Sequence, residues 1–269
     1  MLFVLSAVSQ HLGAAIAVLL FAAVPALGVA WLRVVAAAAV MAVWRRPWRR
    51  RWSGIGTAAP QLVIAFGLVL AAMNLAFYLA IERLPLGTVV AVEFLGPIVV
   101  AAVGSRTRSD LVAFVLALAG VGLLSDAQLR VGGTGLVFAF AAAALWALYI
   151  VLGSRVAAGG RGVDALAVGM LAGATVITPV AAPSALPALV DPLLLAACLG
   201  VGILSSVVPY GLEQRVLTHM GPGAFALLLS LSPATAAVIG LLVLRQVPSV
   251  GETAGIALVA VAVAIRGSR

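Results

Sequence analysis

Apolar runs long enough to cross a bilayer follow one another along the whole chain, with gaps of only a few residues between most of them. A spanning helix needs about 20 mostly apolar residues. Cutting at charges, prolines and glycines gives about ten such segments by that rule. They lie near 2–22, 26–44, 60–81, 86–104, 110–126, 133–154, 164–183, 192–217, 222–244 and 249–266. No gap can hold an extramembrane domain, so length says nothing about soluble domains. Composition points the same way, with 64% hydrophobic and 9% charged residues and a mean hydropathy of +1.25. That is too little charge to cover a soluble surface. The expected class is an all-α membrane protein of about ten transmembrane helices. Residues 2–24 read as the first of these rather than as a signal peptide. No basic residues precede them, and the run is longer than a usual signal core. The helix starts almost at Met1, which leaves room for a few residues upstream.

All sixteen cations are arginine, and the net charge is +8. A basic balance can suit nucleic acid, but these arginines fall in the short gaps between apolar runs, where they act as topology signals. The longest gap, RRPWRRRWSGIGTAA, starts at Arg45 and carries five arginines and two tryptophans, as expected at a cytoplasmic interface. With the N-terminus inside, the cytoplasmic connections hold Arg45, Arg46, Arg49, Arg50, Arg51, Arg106, Arg108, Arg155, Arg161, Arg266 and Arg269. The outer ones hold Arg83, Arg130 and Arg245. Eleven against three is a positive-inside bias, and it puts both termini in the cytoplasm. Cys198 lies in an apolar run without a disulfide partner and reads as a buried small hydrophobe.

The chain also repeats itself. PLGTVVAVEFLGPIVVAAVG starts at Pro85 and GPGAFALLLSLSPATAAVIG at Gly221, an offset of 221 − 85 = 136. At that offset Gly87 meets Gly223, Leu95 meets Leu231, Pro97 meets Pro233, Ala101 meets Ala237 and Gly104 meets Gly240. Gln10 meets Trp146 in the first helix of each half. Five helices per half is an odd number, so the second half enters from the opposite side. The expectation is two inverted five-helix repeats, 1–127 and 132–269, an architecture of many secondary transporters.

Few residues in these segments carry chemistry. Pro97 and Pro233 each remove a backbone donor inside a segment, at matching depths. Such paired interruptions point to a substrate site between the repeats, or else to packing kinks. Glu93 lies about one turn from Pro97, near mid-bilayer. A charge there costs about 2.5–3.5 kcal/mol on insertion scales. It must face a polar interior, find a partner or be protonated. Burial disfavours the charged form of a carboxyl, which suits a proton carrier. The structural alternative is an ion pair with Arg33, the arginine deep in segment two, whose guanidinium can also hold a substrate carboxylate bidentately.

Other polar groups share helix faces. Tyr210, Glu213 and Gln214 do so in segment eight, Asn74 and Tyr78 in segment three, and Trp146 and Tyr149 in segment six. Glu213 can also snorkel beside Arg215, Asn74 can be interhelical glue, and aromatic stripes can be packing. Gln10 and His11 sit mid-helix in segment one. His11 can titrate near neutral pH but reads more readily as a packing residue. His219 lies in a short cytoplasmic turn and reads as solvated. Gly251 to Gly255, GETAG, matches a small-xxx-small packing pattern. There is no nucleophile elbow, phosphate loop, HExxH or metal-spaced Cys/His set, so neither an enzyme nor a metal or other cofactor is expected. An ATP-driven pump would need a nucleotide domain for which there is no room.

The stretch MNLAFYLAIERLPLGTVVAVEFLGPIVVA, residues 73–101, resembles the EamA branch of the drug/metabolite transporter superfamily, and within it the RhtA-like threonine and homoserine exporters of bacterial inner membranes. VSQHLGAAIA, AWLRVVAA, LWALYIVLG and SSVVPYGLEQ match further blocks of that family. The resemblance implies amino-acid efflux coupled to protons, with helices one to four and six to nine around the pathway. It implies no cofactor and no nucleic acid. Carried over position by position, the cavity residues are Gln10, Arg33, Asn74, Tyr78, Glu93, Trp146, Tyr149, Tyr210 and Glu213. His11 stands where the family has a small glycine, which narrows the cavity or adds a titratable group. LLVLRQVPS replaces the family's LGE, with Gln246 at the acidic position, so the acid's contribution at the outer end is expected to be lost. Two other classes fit the same chain. One is a transporter of this fold for another metabolite or a cationic drug, which a substrate panel separates. The other is a non-transporting channel or scaffold. A channel would show flux that follows the gradient without saturation or countertransport.

Overall fold

The computed structural model describes residues 2–46, 60–104, 107–129, 133–158, 162–209, 212 and 231–267. Among these every regular element is helical. In chain order they are α1 (Leu2–Leu20), α2 (Ala26–Arg45), α3 (Pro60–Ile81), α4 (Leu86–Glu93), α5 (Leu95–Gly104), α6 (Arg108–Leu129), α7 (Thr134–Ala158) and α8 (Gly162–Ala181). A 3-10 turn (Ala182–Ala185) leads into α9 (Leu186–Val190), and α10 (Pro192–Gly202) passes into a π-helical turn (Ile203–Val207). Then come α11 (Ser232–Leu244) and α12 (Val250–Gly267).

Local chemistry sets these boundaries. Pro60 and Pro192 open α3 and α10, and Pro25 and Pro85 directly precede α2 and α4. Proline is tolerated there because the first helical N–H groups lack intrahelical partners. Asp191 caps α10, its Oδ1 accepting from the amides of Leu193 and Leu194 at 2.8 and 3.2 Å. Both α6 and α12 start with reciprocal caps. Asp110 accepts from the Thr107 amide, and the Asp110 amide donates to the Thr107 hydroxyl. Glu252 accepts from the Ser249 amide, and its own amide donates to Ser249 Oγ. Arg46 and Arg245 end α2 and α11 in the left-handed region, with φ of 47° and 56°.

Six helical stretches are long and apolar enough to cross a membrane: Ala26–Arg45, Pro60–Ile81, Leu86–Val103, Arg108–Ser125, Thr134–Ala158 and Asp164–Val190. Four shorter ones, Val4–Leu20, Pro192–Val207, Ser232–Leu244 and Val250–Ile265, are equally apolar in character. Large hydrophobics such as Val103, Val180, Leu193 and Leu242 are exposed on the outside of the bundle. Bare apolar surface on this scale belongs in lipid. The chain is a multi-pass membrane protein.

Inside, α6 packs on α12, α3 on α7 and α8, and α2 on α8 and α10. The helix α1 rests on α11 and on the π turn, while α4 lies against α7 and α11, and α5 against α7. Small residues allow these approaches. A Cβ on Gly67 of α3 would run into the Gly169 carbonyl of α8. A Cβ on Gly255 of α12 would come within 2.7 Å of the Gly120 carbonyl of α6, while nothing lies within 4 Å of one on Gly251. The GETAG pattern thus serves α6–α12 packing through Gly255 alone.

Segment four differs from the expected helix bent at Pro97. The break falls at Phe94, between α4 and α5, so Pro97 sits inside the first turn of α5. There its missing N–H needs no partner within α5. Pro233 is likewise the second residue of α11. Tyr210, Glu213, Gln214 and His219 lie outside the described residues.

Candidate functional site

The helices enclose a cavity of about 390 Å³. Its polar lining comes from near the middle of the helices: Gln10 and His11 of α1, Arg33 of α2, Asn74 of α3 and Glu93 at the α4 end. Aromatic and thioether walls close around them, with Phe77, Phe94, Trp146 and Tyr149 and the two methionines Met73 and Met170. Phe94 meets Trp146 edge-on at 5.0 Å between ring centroids, and Tyr149 stacks on Phe66 at 4.8 Å. Both are favourable arrangements for aromatic quadrupoles.

Arg33 is held from one side. Its Nε donates to Ser206 Oγ and its Nη2 to the Ser205 carbonyl, each at 3.2 Å. The Tyr78 ring lies under the guanidinium, 5.2 Å from Cζ to centroid. The Ser205 carbonyl is available because of the local sequence. Pro209, four residues on, has no N–H to give it. The chain from Ile203 to Val207 widens into a π turn, in which the Val208 amide donates back to the Ile203 carbonyl. Irregular turns of this kind recur at functional sites. The neighbouring Leu204 carbonyl accepts from Ser9 Oγ of α1 at 2.7 Å.

Glu93 is half-buried at the cavity wall, and its carboxylate makes no hydrogen bond or ion pair among the described residues. The Arg33–Glu93 ion pair offered by the sequence as a structural alternative is not formed. Arg33 instead spends two donors on the π turn, and the two residues line the same cavity without pairing with each other. His11 is 2% exposed, and its Nε2 lies 2.9 Å from Ser232 Oγ at the start of α11. No partner reaches its Nδ1 among the described residues. Asn74 returns its Nδ2 to the Leu70 carbonyl one turn back at 2.8 Å.

The cavity therefore gathers Gln10, Arg33, Asn74, Glu93, Trp146 and Tyr149 from five helices, α1, α2, α3, α4 and α7. Tyr78 is not at the wall. It is fully buried behind Arg33, because the cation takes up its ring face. Pro97 and Pro233 do not line the cavity either, although their neighbours Glu93, Phe94 and Ser232 do. Sequence reasoning missed Ser205, Ser206, Pro209 and Ser232. The signal was present in SSVVP, where a proline stands four residues after a serine and so frees its carbonyl. Gln246 belongs elsewhere. Its Oε1 accepts from the Leu86 amide at 3.0 Å, capping α4 from the end of α11. No group of three or more His, Cys, Asp or Glu suited to a metal ion occurs among the described residues.

Comparison with known proteins bears on this architecture. A model of the EamA-like transporter family matches residues 133–266. The threonine/homoserine exporters RhtA of Salmonella typhimurium and Escherichia coli are each 38% identical to this chain, over 87% of it and 79% of their own length. A solved crystal structure superimposes with a TM-score of 0.61 over 98% of this chain and 94% of its own, at 19% identity, a likeness of fold alone. Identity of that extent to two transporters, together with the family match, places the chain among transporters rather than enzymes. The chain belongs to the EamA-like transporter family.

Proposed function

We propose that this chain is a secondary-active exporter of small amino acids of the threonine and homoserine type, driven by the proton gradient across the bacterial cytoplasmic membrane. The observation that carries the reading is that Arg33 and Glu93 share the wall of one cavity without pairing with each other. Opposite charges that share a water-poor site and do not pair are suited to the two ends of a zwitterion. The guanidinium takes the carboxylate and Glu93 takes the ammonium. Gln10, Asn74 and Tyr149 supply polar contacts for a side-chain hydroxyl, and Trp146 walls the site. Tyr210 and Glu213 belong to the proposed site through the family resemblance. The names of the relatives at 38% identity support the substrate class.

Proton coupling follows from competition. A carboxylate that holds an ammonium cannot also hold a proton, so each ligand displaces the other from Glu93. Protonation from outside then releases the amino acid, and loss of that proton inside prepares the next binding event.

The proposed frame is ten spans in two inverted halves, 1–127 and 132–269, with both termini in the cytoplasm. Exchanging the halves turns each segment n into n + 5, and the packing is consistent with that exchange. Segments one and nine touch (α1 with α11), and so do their counterparts six and four (α7 with α4 and α5). Segments three and seven touch (α3 with α8), and so do eight and two (α10 with α2).

The test is export of radiolabelled threonine and homoserine from cells expressing the chain, with uptake into inverted vesicles under an imposed proton gradient. Faster efflux and gradient-dependent uptake are expected. Vesicles that accumulate neither amino acid, but do accumulate a hydrophobic cation, would overturn the amino-acid reading.

A further inference from the structure

An arginine offers five N–H donors on two usable edges. The side edge carries Nε–H and the Nη2–H beside it, and the end edge joins Nη1 to Nη2. In this protein the side edge of Arg33 is filled by Ser206 Oγ and the Ser205 carbonyl, and the Tyr78 ring lies against one face of the guanidinium. What remains for the cavity is the end edge. The two acceptors come from adjacent residues of a single π turn. One of them, the Ser205 carbonyl, lacks the i+4 amide of a regular helix, because residue 209 is a proline. Position 33 is also fixed from behind. A Cβ on Gly202 would come within 3.2 Å of the Arg33 Cα, so α2 and α10 are in backbone contact at this point.

We infer that Ser206 and Pro209 are positioning residues for Arg33, which clamp its side edge so that the end edge alone reads the substrate carboxylate and rejects analogues that lack the carboxylate charge. The inference rests on the proposed role of Arg33 as carboxylate partner. A long cationic side chain left to its own rotamers would lose entropy on every binding event. The clamp removes that loss beforehand, and it fixes the bidentate geometry that distinguishes a carboxylate from a carboxamide. Both acceptors belong to the second half of the chain and the cation to the first. A movement between the halves that pulled the π turn away would therefore also unclamp the guanidinium.

The experiment compares threonine with threoninamide as competitors of labelled threonine uptake in proteoliposomes. Threoninamide keeps the ammonium and the hydroxyl and loses the negative charge. Wild type is expected to prefer threonine strongly. Ser206→Ala removes one acceptor, and Pro209→Ala restores an amide that claims the other. Each is expected to lower the threonine/threoninamide preference about tenfold, mainly through KM, in line with one lost hydrogen bond to a charged group. Ser206→Thr keeps the hydroxyl and should restore the preference. If Pro209→Ala does not insert, Ser206→Ala and Ser206→Thr decide the matter. A wild-type preference that survives in the alanine variants, or a fall in kcat with the preference intact, overturns the positioning role and leaves the carboxylate role of Arg33 standing. A wild type that does not distinguish the two competitors overturns that role as well.

Discussion

Replacing Glu93 by Gln separates transport from folding, because the carboxylate has no partner among the described residues to lose. The substitution keeps shape and hydrogen-bonding capacity while removing the charge. An acid at mid-bilayer costs about 2.5–3.5 kcal/mol on insertion scales. Glu93 is half-buried at a cavity wall rather than in lipid, so only a fraction of that cost applies to it. The variant should therefore fold as well as wild type or up to about 1 kcal/mol better. Transport should behave in the opposite way. A hydrogen bond to a charged group contributes about 1.5–3 kcal/mol, so substrate affinity should fall about 10- to 100-fold. Proton exchange should stop altogether, since an amide does not titrate in this range. The assay is uptake of labelled threonine into proteoliposomes with and without an imposed proton gradient, alongside thermal unfolding in detergent. Loss of gradient-driven accumulation with an unchanged or slightly raised melting temperature is the expected result. Transport at the wild-type rate and with the wild-type pH dependence would refute the reasoning and leave Glu93 a structural residue.

Reporter fusions after residues 48 and 160 should read cytoplasmic and one after residue 188 external; an external reading at 48 would invert the topology. Pro97→Ala and Pro233→Ala restore donors that the first turns of α5 and α11 do not need, so stability should change little, falling by at most about 1 kcal/mol through the freer unfolded chain, while turnover drops. Unchanged export kinetics in both would show that these breaks do not gate. Gly67→Ala drives a methyl into the Gly169 carbonyl and should cost about 1–3 kcal/mol, read as a lower melting temperature. Arg45→Ala removes the 2.7 Å ion pair that ties α2 to Asp164 of α8. Arg45 is 28% exposed, so the loss should be about 1 kcal/mol and should shrink in high salt.

The fold was legible because each spanning segment repeats one simple requirement, an apolar stretch long enough for the bilayer. The ends of α2 and α3 and the start of α4 lie within a residue of the sequence reading, since proline and arginine mark most of them directly. Segment four was harder. A proline marks where a donor is missing, and the chain places the break at Phe94, before that proline rather than at it. The site was legible to the extent that it relies on rare residues. Arg33, Glu93, Asn74 and Gln10 stand out against an apolar background, and all reach the cavity. Ser205, Ser206 and Ser232 did not stand out, because serine in a membrane helix usually bonds its own backbone. Ser205 Oγ does so, donating to the Val201 carbonyl at 2.6 Å, while its carbonyl serves Arg33. That division of labour within one residue depends on the π turn, which has no pattern in the sequence.

The two halves, related in the proposed repeat by an offset of 136, supply unlike chemistry to the site. Arg33 corresponds to Gly169, Glu93 to Leu229 and Gln10 to Trp146. The first half thus brings both charges. The second half brings aromatic surface, together with the serines and the freed carbonyl that hold Arg33. At the position that corresponds to the cation in the proposed repeat, Gly169 packs its backbone against Gly67, and a Cβ there would lie 3.0 Å from the Val63 carbonyl. A fully symmetric site would present two like charges across the cavity, and a zwitterion would fit neither orientation well. In the proposed function, dividing the roles gives the ligand one end for its carboxylate and another for its ammonium. On the proposed reading, rocking one half against the other would carry the clamp on Arg33 away from the helix that bears the arginine, so a motion shared by both halves would change the affinity at one end of the substrate only.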